Sequence, residues 1–335
     1  MDKSAGRSFP IYTGPPANKA LSRAIPVALC AAVICVAFLS VDWVGRFPYA
    51  FPDLSNYRSG FSSGWYVFSL LNTDWLSFLL TEGVWVYGFD ALWNAVGDME
   101  LSFLIVTALA TFLILLYIIS QTQSLAPALF ILNPAFIHLV AEQLRSGLAV
   151  GIFLMGVKSH SQIIRLALFI LSSTIHTSFI LFFGLFYLYY FSSRLNLLKW
   201  LTDRYLLFFI ILLTISILLT YFRETALAAI GDERAFIIED QTSGILLGIA
   251  WFSFIVSYFV LRRKIAFDFN FYFFVINVFM FISSIFVGVY GARFVAVAIP
   301  ALAVMSRDLD PGRRPFFYAH YALFSFVYFL FWADT

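Results

Sequence analysis

The chain has 335 residues, of which 61% are hydrophobic and only 12% charged, where a soluble domain carries roughly a quarter. One soluble core cannot hide that much apolar side chain, so the expected fold class is an all-α, polytopic integral membrane protein with the bilayer as solvent. The formal net charge of +2 comes without a clustered basic patch, so no nucleic-acid partner is expected.

Residues 1–23 hold Lys3, Arg7, Lys19 and Arg23 ahead of the first apolar run at 24–39. The charged region is long and lacks a small-x-small cleavage site, which predicts a cytoplasmic tail and an uncleaved first span. Cys30 and Cys35 lie inside that span and read as small buried hydrophobes rather than a disulfide. The apolar runs predict about eleven spans (range 10 to 12), near 24–42, 100–119, 125–141, 144–157, 163–175, 177–192, 205–221, 243–261, 270–289, 292–306 and 316–332. The two runs flanking His176 also read as one long or broken helix. Residues 42–99 form an outer loop with five of the eight tryptophans, Trp43, Trp65, Trp75, Trp85 and Trp93. Its stretch 64–96 is amphipathic and expected to lie along the interface or dip partly into the membrane. A second outer loop, 222–242, is rich in charge of both signs and reads as solvated. No linker or repeat divides residues 1–335, so a single membrane domain is expected.

Basic residues set the orientation, because cytoplasmic loops retain Lys and Arg. With eleven spans, one side holds 15 of the 21 basic residues, including every lysine. The other side keeps only Arg46, Arg58, Arg145, Arg223, Arg234 and Arg293. The lysine-bearing side is assigned to the cytoplasm, with the N-terminus inside and the C-terminus outside.

An outer face with arginines, acids and no lysine suits anion recognition, since guanidinium presents a planar fork of donors to phosphate or carboxylate. Each such arginine reads equally as a salt-bridged loop residue. The first outer loop supplies Asp53, Tyr57, Arg58 and Glu82 among its tryptophans. Aromatic rings interleaved with carboxylates fit a sugar surface, and an interfacial aromatic belt accounts for the same rings. Glu142 and Arg145 are spaced i and i+3, expected on one helical face at the mouth of a span, as an internal ion pair or a site. His176 occupies the polar interruption Ser172-Ser173-Thr174-Ile175-His176-Thr177-Ser178, as hydrogen-bonded structure or as an acid–base group. Arg293 follows Tyr290-Gly291-Ala292, and the small Gly291 and Ala292 allow close approach to a backbone or ligand, so it reads as a ligand contact ahead of a snorkelling surface arginine. No HExxH, Walker A, GxSxG, CxxC or metal-spaced His cluster occurs, so ATPase, zinc-protease and redox chemistry lose support, and no metal or cofactor is expected.

In these residues the chain resembles the EpsG/Wzy-like family of bacterial polysaccharide polymerases. The resembling pieces are Asp53-Leu54-Ser55-Asn56-Tyr57, then Glu82 before a Trp/Tyr-rich stretch, Leu144-Arg145-Ser146-Gly147-Leu148-Ala149, Ile175-His176-Thr177-Ser178 and Gly291-Ala292-Arg293-Phe294. Each is short, and the likeness lies in their order over most of the chain. Members often carry Gln after the arginine where this chain has Ser146. The resemblance implies a multi-pass protein of the bacterial inner membrane that joins undecaprenyl-diphosphate-linked oligosaccharide repeats at the periplasmic face, making O-antigen or a related surface polysaccharide. It implies a metal-independent glycosyltransferase with lipid-linked glycan donor and acceptor, membrane lipid around it, and a flippase and chain-length regulator as partners. On this view Arg145 and Arg293 bind the diphosphate, with Tyr57, Arg58, Glu82 and Tyr290 as further substrate contacts. The acceptor's base is Glu142, His176 or Asp53.

Two other functions share many of these features. A flippase or transporter for lipid-linked glycans calls for polar groups near mid-membrane, whereas these lie to one side. An O-antigen ligase differs from a polymerase in its acceptor alone. The topology itself is open to direct test. Reporters fused after Lys264 and Thr335 should report cytoplasmic and outer locations respectively, and an active cytoplasmic reporter after Thr335 would refute the orientation.

Overall fold

The structure, a computed structural model, describes residues 17–46, 52–70, 75, 78, 82–195, 205–229, 244–262, 268–287 and 291–333. Among them the fold is all-helical, with one isolated bridge, Arg262 to Leu309, in place of any strand. The helices are α1 Ala17–Leu39, α2 Trp43–Arg46, α3 Pro52–Ser62, α4 Trp65–Leu70, α5 Gly83–Val96 and α6 Met99–Thr122. A 3₁₀ segment, Ala126–Ile131, leads into α7 Pro134–Ala141, α8 Leu144–Lys158, α9 Gln162–Ile175 and α10 Phe179–Arg194. The chain continues as α11 Tyr205–Ala229, α12 Gly244–Leu261, α13 Phe269–Val287, α14 Ala292–Met305 and α15 Arg314–Ala333.

These boundaries follow the apolar runs, since a helix satisfies its own backbone where no water can. Polar caps end several of them: Asp98 accepts from Leu101 N–H at 3.0 Å, and Asn133 from Ala135 N–H at 3.0 Å. Among the described residues five helices are long and apolar enough to cross a membrane, or six if α7 and α8, bent by 100°, form one broken span. Apolar residues such as Leu29, Val33 and Val36 on α1 and Leu323, Phe326 and Leu330 on α15 stay exposed, as expected of surfaces that meet lipid. The protein thus has membrane-protein character, while length alone does not reach the eleven spans expected. His176 separates α9 from α10, so the run around it is two helices. The tail boundary at residue 23 falls inside α1, which starts at Ala17. Most of the charged 222–242 loop, with Lys264 and Tyr290, lies outside the described residues.

At the centre α8 packs on α6 and α9, and α14 packs on α13 and α7. The sharp turn from α7 into α8 needs Gly147: a Cβ there would sit 2.8 Å from the Leu139 carbonyl oxygen. Phe153 at the heart of α8 is 1% exposed and stacks on Phe169 at 4.8 Å and Phe273 at 5.8 Å. The two ends of the bundle differ chemically. One brings the first turns of α3, α8 and α14 together. The other collects the end of α6 with the starts of α13 and α15, where Arg307 Nη2 meets Asp268 at 2.6 Å and Nη1 meets Gln121 at 3.2 Å.

At that second end burial pushes the Asp308 carboxyl up to about 6, neighbouring Asp268 adds to the rise, and Arg307 and Arg314 oppose it. A raised folded-state pKa means the folded protein holds this proton more tightly than the unfolded chain. The contribution of Asp308 therefore improves as pH falls through about 6 and is unfavourable above it. Asp308→Asn should raise the melting temperature at pH 7.5 and remove part of the gain seen on acidification to pH 5.5. Thermal melts in detergent that show an unchanged pH profile would refute this.

Candidate functional site

Eight charged or titratable residues, drawn from separate stretches of the chain, meet at the first end around two buried carboxylates. Glu82, just before α5, is 3% exposed and adopts a left-handed backbone conformation with φ 63°. In a residue with a Cβ this costs about 1–3 kcal/mol and persists only where surrounding contacts enforce it. Those contacts are visible. One carboxylate oxygen pairs with Arg145 Nη1, at the start of α8. The other pairs with His176 Nδ1 and accepts from Thr177 N–H at 3.3 Å, in the break between α9 and α10. Arg145 Nε donates to the Tyr57 hydroxyl at 2.9 Å, and its guanidinium carbon lies 5.3 Å from the centre of the Tyr57 ring.

Glu142 forms the second node and is 1% exposed. One oxygen accepts from the Asp53 backbone N–H at 3.0 Å, and the other pairs with His138 Nε2, one turn earlier on α7. The Asp53 carboxylate meets Arg293 Nη2 at 3.2 Å, so the first turn of α3 is pinned to both α7 and α14. Gln143 Nε2 donates to His138 Nδ1 at 3.0 Å.

The expected i, i+3 partnership of Glu142 and Arg145 is corrected by this geometry. Glu142 caps the end of α7 and Arg145 belongs to α8, with the 100° bend between them. A continuous helix is required to bring positions i and i+3 onto one face, and the bend removes it. Each residue finds its partner elsewhere, His138 for Glu142 and Glu82 for Arg145.

A cavity of about 550 Å³ opens over these groups, lined by Asp53, Asn56, Tyr57, Trp65, Tyr66, Arg145 and Arg293 among others. An adjoining recess of about 260 Å³ adds Trp85 to Tyr57, Trp65 and Tyr66. Burial pushes the Tyr57 and Tyr66 hydroxyls above their ordinary range, so both remain protonated hydrogen-bond donors at neutral pH. Arg145 commits two N–H groups to Tyr57 and Glu82 and retains three of the five a guanidinium carries. The site therefore offers a cationic wall, a carboxylate and an aromatic wall around a space large enough for sugar rings.

Of the acid–base candidates, Asp53 alone lines the larger cavity, with its side chain 31% exposed. His176 and Glu142 are buried beneath it. Arg58 lies elsewhere, in a two-pronged bond to Glu100 at 2.6 and 2.9 Å on the exterior. Tyr290 is outside the described residues. Sequence reasoning missed His138, Gln143 and Thr177. The i, i+4 spacing of His138 and Glu142 was available as a signal, whereas Thr177, 95 positions from Glu82, reaches it with its backbone N–H at 3.3 Å and its hydroxyl at 3.5 Å and left no local signal. Among the described residues no group of three His, Cys, Asp or Glu converges in a way that could hold a metal.

The two ion pairs of Arg145 and Arg58 should differ sharply in worth. Removing one partner of a buried pair costs about 3–5 kcal/mol, whereas an exposed pair contributes about 0–1 kcal/mol. Glu82→Gln should lower the melting temperature by several degrees and Glu100→Gln barely change it. Equal losses in the two variants would contradict the geometry.

Comparison with protein-family models, with curated proteins and with solved structures yields no match for this chain.

Proposed function

We propose that this chain is a polysaccharide polymerase that joins undecaprenyl-diphosphate-linked oligosaccharide repeats at the outer face of a bacterial inner membrane. The proposal includes eleven membrane passages, with the N-terminus in the cytoplasm and the C-terminus in the periplasm. The observation that carries the reading is the convergence of Arg145 and Arg293, from two helices distant in sequence, on one cavity that also holds Asp53 and aromatic side chains. Supporting it, Lys158, Arg165, Arg262, Arg307, Arg313 and Arg314 lie toward the opposite end of the helices, as expected for a cytoplasmic face.

The chemistry follows from these groups. The donor's diphosphate binds Arg145 and Arg293, whose fixed charges stabilise the negative charge that develops on the leaving group. Phosphate on Arg293 competes with Asp53 for that guanidinium and releases the Asp53 carboxylate. The acceptor hydroxyl oxygen bonds to the donor's anomeric carbon as the bond from that carbon to the diphosphate oxygen breaks. The electron pair leaves with the lipid diphosphate, and the hydroxyl proton passes to Asp53. Glu82 and Tyr57 hold Arg145 in place, and His176 and Thr177 hold Glu82. A ligase would share the donor chemistry and differ in its acceptor.

Arg145→Ala and Arg293→Ala should each abolish polymer while leaving the protein in the membrane, and lysine should rescue poorly because it lacks the two-pronged fork. Gel ladders of wild-type length in both variants would remove these residues from the site. Asp53→Asn should lower turnover of purified protein on the order of 10²–10⁴-fold, the usual worth of a positioned base. Turnover near wild type would instead assign the proton to His176 or to the substrate.

A further inference from the structure

The Asp53–Arg293 ion pair stands between two cavities. Arg293 lines the large one and also a second of about 120 Å³, bounded by Pro134, His138 and Gln143 on one side and by Tyr328 and Trp332 of α15 on the other. Arg293 is the one lining residue the two have in common. The smaller cavity has its own chemistry. Gln143 is 3% exposed; its Nε2 bonds His138, while its Oε1 has no hydrogen-bond partner among the described residues. A buried acceptor left unpaired costs about 1–3 kcal/mol, which a ligand hydroxyl recovers by donating to it. Trp332, half-buried and packed on Phe329 at 5.8 Å, adds a flat apolar surface to the opposite wall of the same cavity. An aromatic face and an unpaired acceptor lining one cavity suit a sugar ring. With Arg145 absent from its walls, the small cavity offers a diphosphate less than the large one does.

We propose that the smaller cavity is the acceptor subsite, holding the terminal sugar of the growing or incoming glycan across the Asp53–Arg293 pair from the donor diphosphate. The ring lies on Trp332, and a hydroxyl donates to Gln143 Oε1. The reacting hydroxyl then faces the ion pair, where Asp53 takes its proton as the donor's anomeric carbon transfers to its oxygen and the lipid diphosphate leaves on the Arg145 side. The assignment rests on the polymerase reading and adds which substrate occupies which side. His138 is a positioning residue here, since it holds both Gln143 and Glu142 and through Glu142 the first turn of α3.

The test uses the full-length protein in lipid nanodiscs. The donor is the cells' own undecaprenyl-diphosphate repeat, and the acceptor probe is the same oligosaccharide released from lipid by mild acid. Gln143→Leu and Trp332→Ala should raise the KM for the free oligosaccharide about tenfold, equivalent to about 1.4 kcal/mol, and leave the donor KM within about twofold. Trp65→Ala, in the large cavity, should do the reverse. Trp332→Ala, at the partly exposed end of α15, keeps the test available if Gln143→Leu fails to fold. The subsite is overturned if both variants shift donor and acceptor KM alike, or shift neither. Equilibrium binding of the free oligosaccharide distinguishes failure of the subsite from failure of the polymerase reading. Binding that Gln143→Leu abolishes, in a protein that never polymerises, supports the subsite and removes the polymerase reading. Polymerisation with binding untouched by either variant keeps that reading and overturns the subsite.

Discussion

The Glu82 carboxylate is the contact on which the candidate site depends. It is buried, and an ionised carboxylate in a weakly polar setting is tolerable only when paired and hydrogen-bonded. Arg145, His176 and Thr177 supply those partners from two separate places in the helical bundle. The single side chain therefore ties the segment before α5 to α8 and to the α9–α10 break. The left-handed backbone at Glu82 is consistent with such a constraint, because a strained residue persists where its contacts outweigh the strain.

Glu142 repeats the device one step along, with Asp53 and His138 on its two oxygens. Both nodes join the segment between α1 and α6 to helices that enter from other parts of the chain. Two of the groups held this way, Asp53 and Arg145, remain partly exposed and border the cavity, while the carboxylates that orient them are covered. Buried carboxylates of this kind hold the partly exposed groups at the cavity in fixed positions, the arrangement known as preorganised charge. The opposite end of the bundle uses the same chemistry for a different purpose. Arg307 bridges Asp268 and Gln121, and Tyr117 donates to Asn270 at 2.7 Å, which ties α6, α13 and the end of α14 together.

The break between α7 and α8 makes the site possible. In a straight helix Glu142 and Arg145 would neutralise one another on one face. The 100° bend, allowed by the missing side chain at Gly147, sends the carboxylate toward α3 and the guanidinium toward Glu82. It also leaves Gln143 at the corner, between His138 and the smaller cavity.

The sequence by itself determined the helices. Apolar runs of span length, broken by polar or small residues, placed α6, α8, α12 and α14 within a few residues of their observed bounds, because helix is the one way such a run satisfies its backbone in hydrocarbon. It also determined most of the residues that meet at the site, since charge in an apolar chain is scarce and Asp53, Glu82, Glu142, Arg145, His176 and Arg293 stand out for that reason alone. The tertiary structure decided their partners. Glu82 and Arg145 are 63 positions apart and Asp53 and Arg293 are 240 apart, separations at which no local period carries information. It also decided which acids are covered and which face the cavity, and it sent Arg58 to Glu100 on the exterior. Pairing and burial depend on how helices pack across the bundle, and that geometry arises from the whole chain at once rather than from any stretch of it.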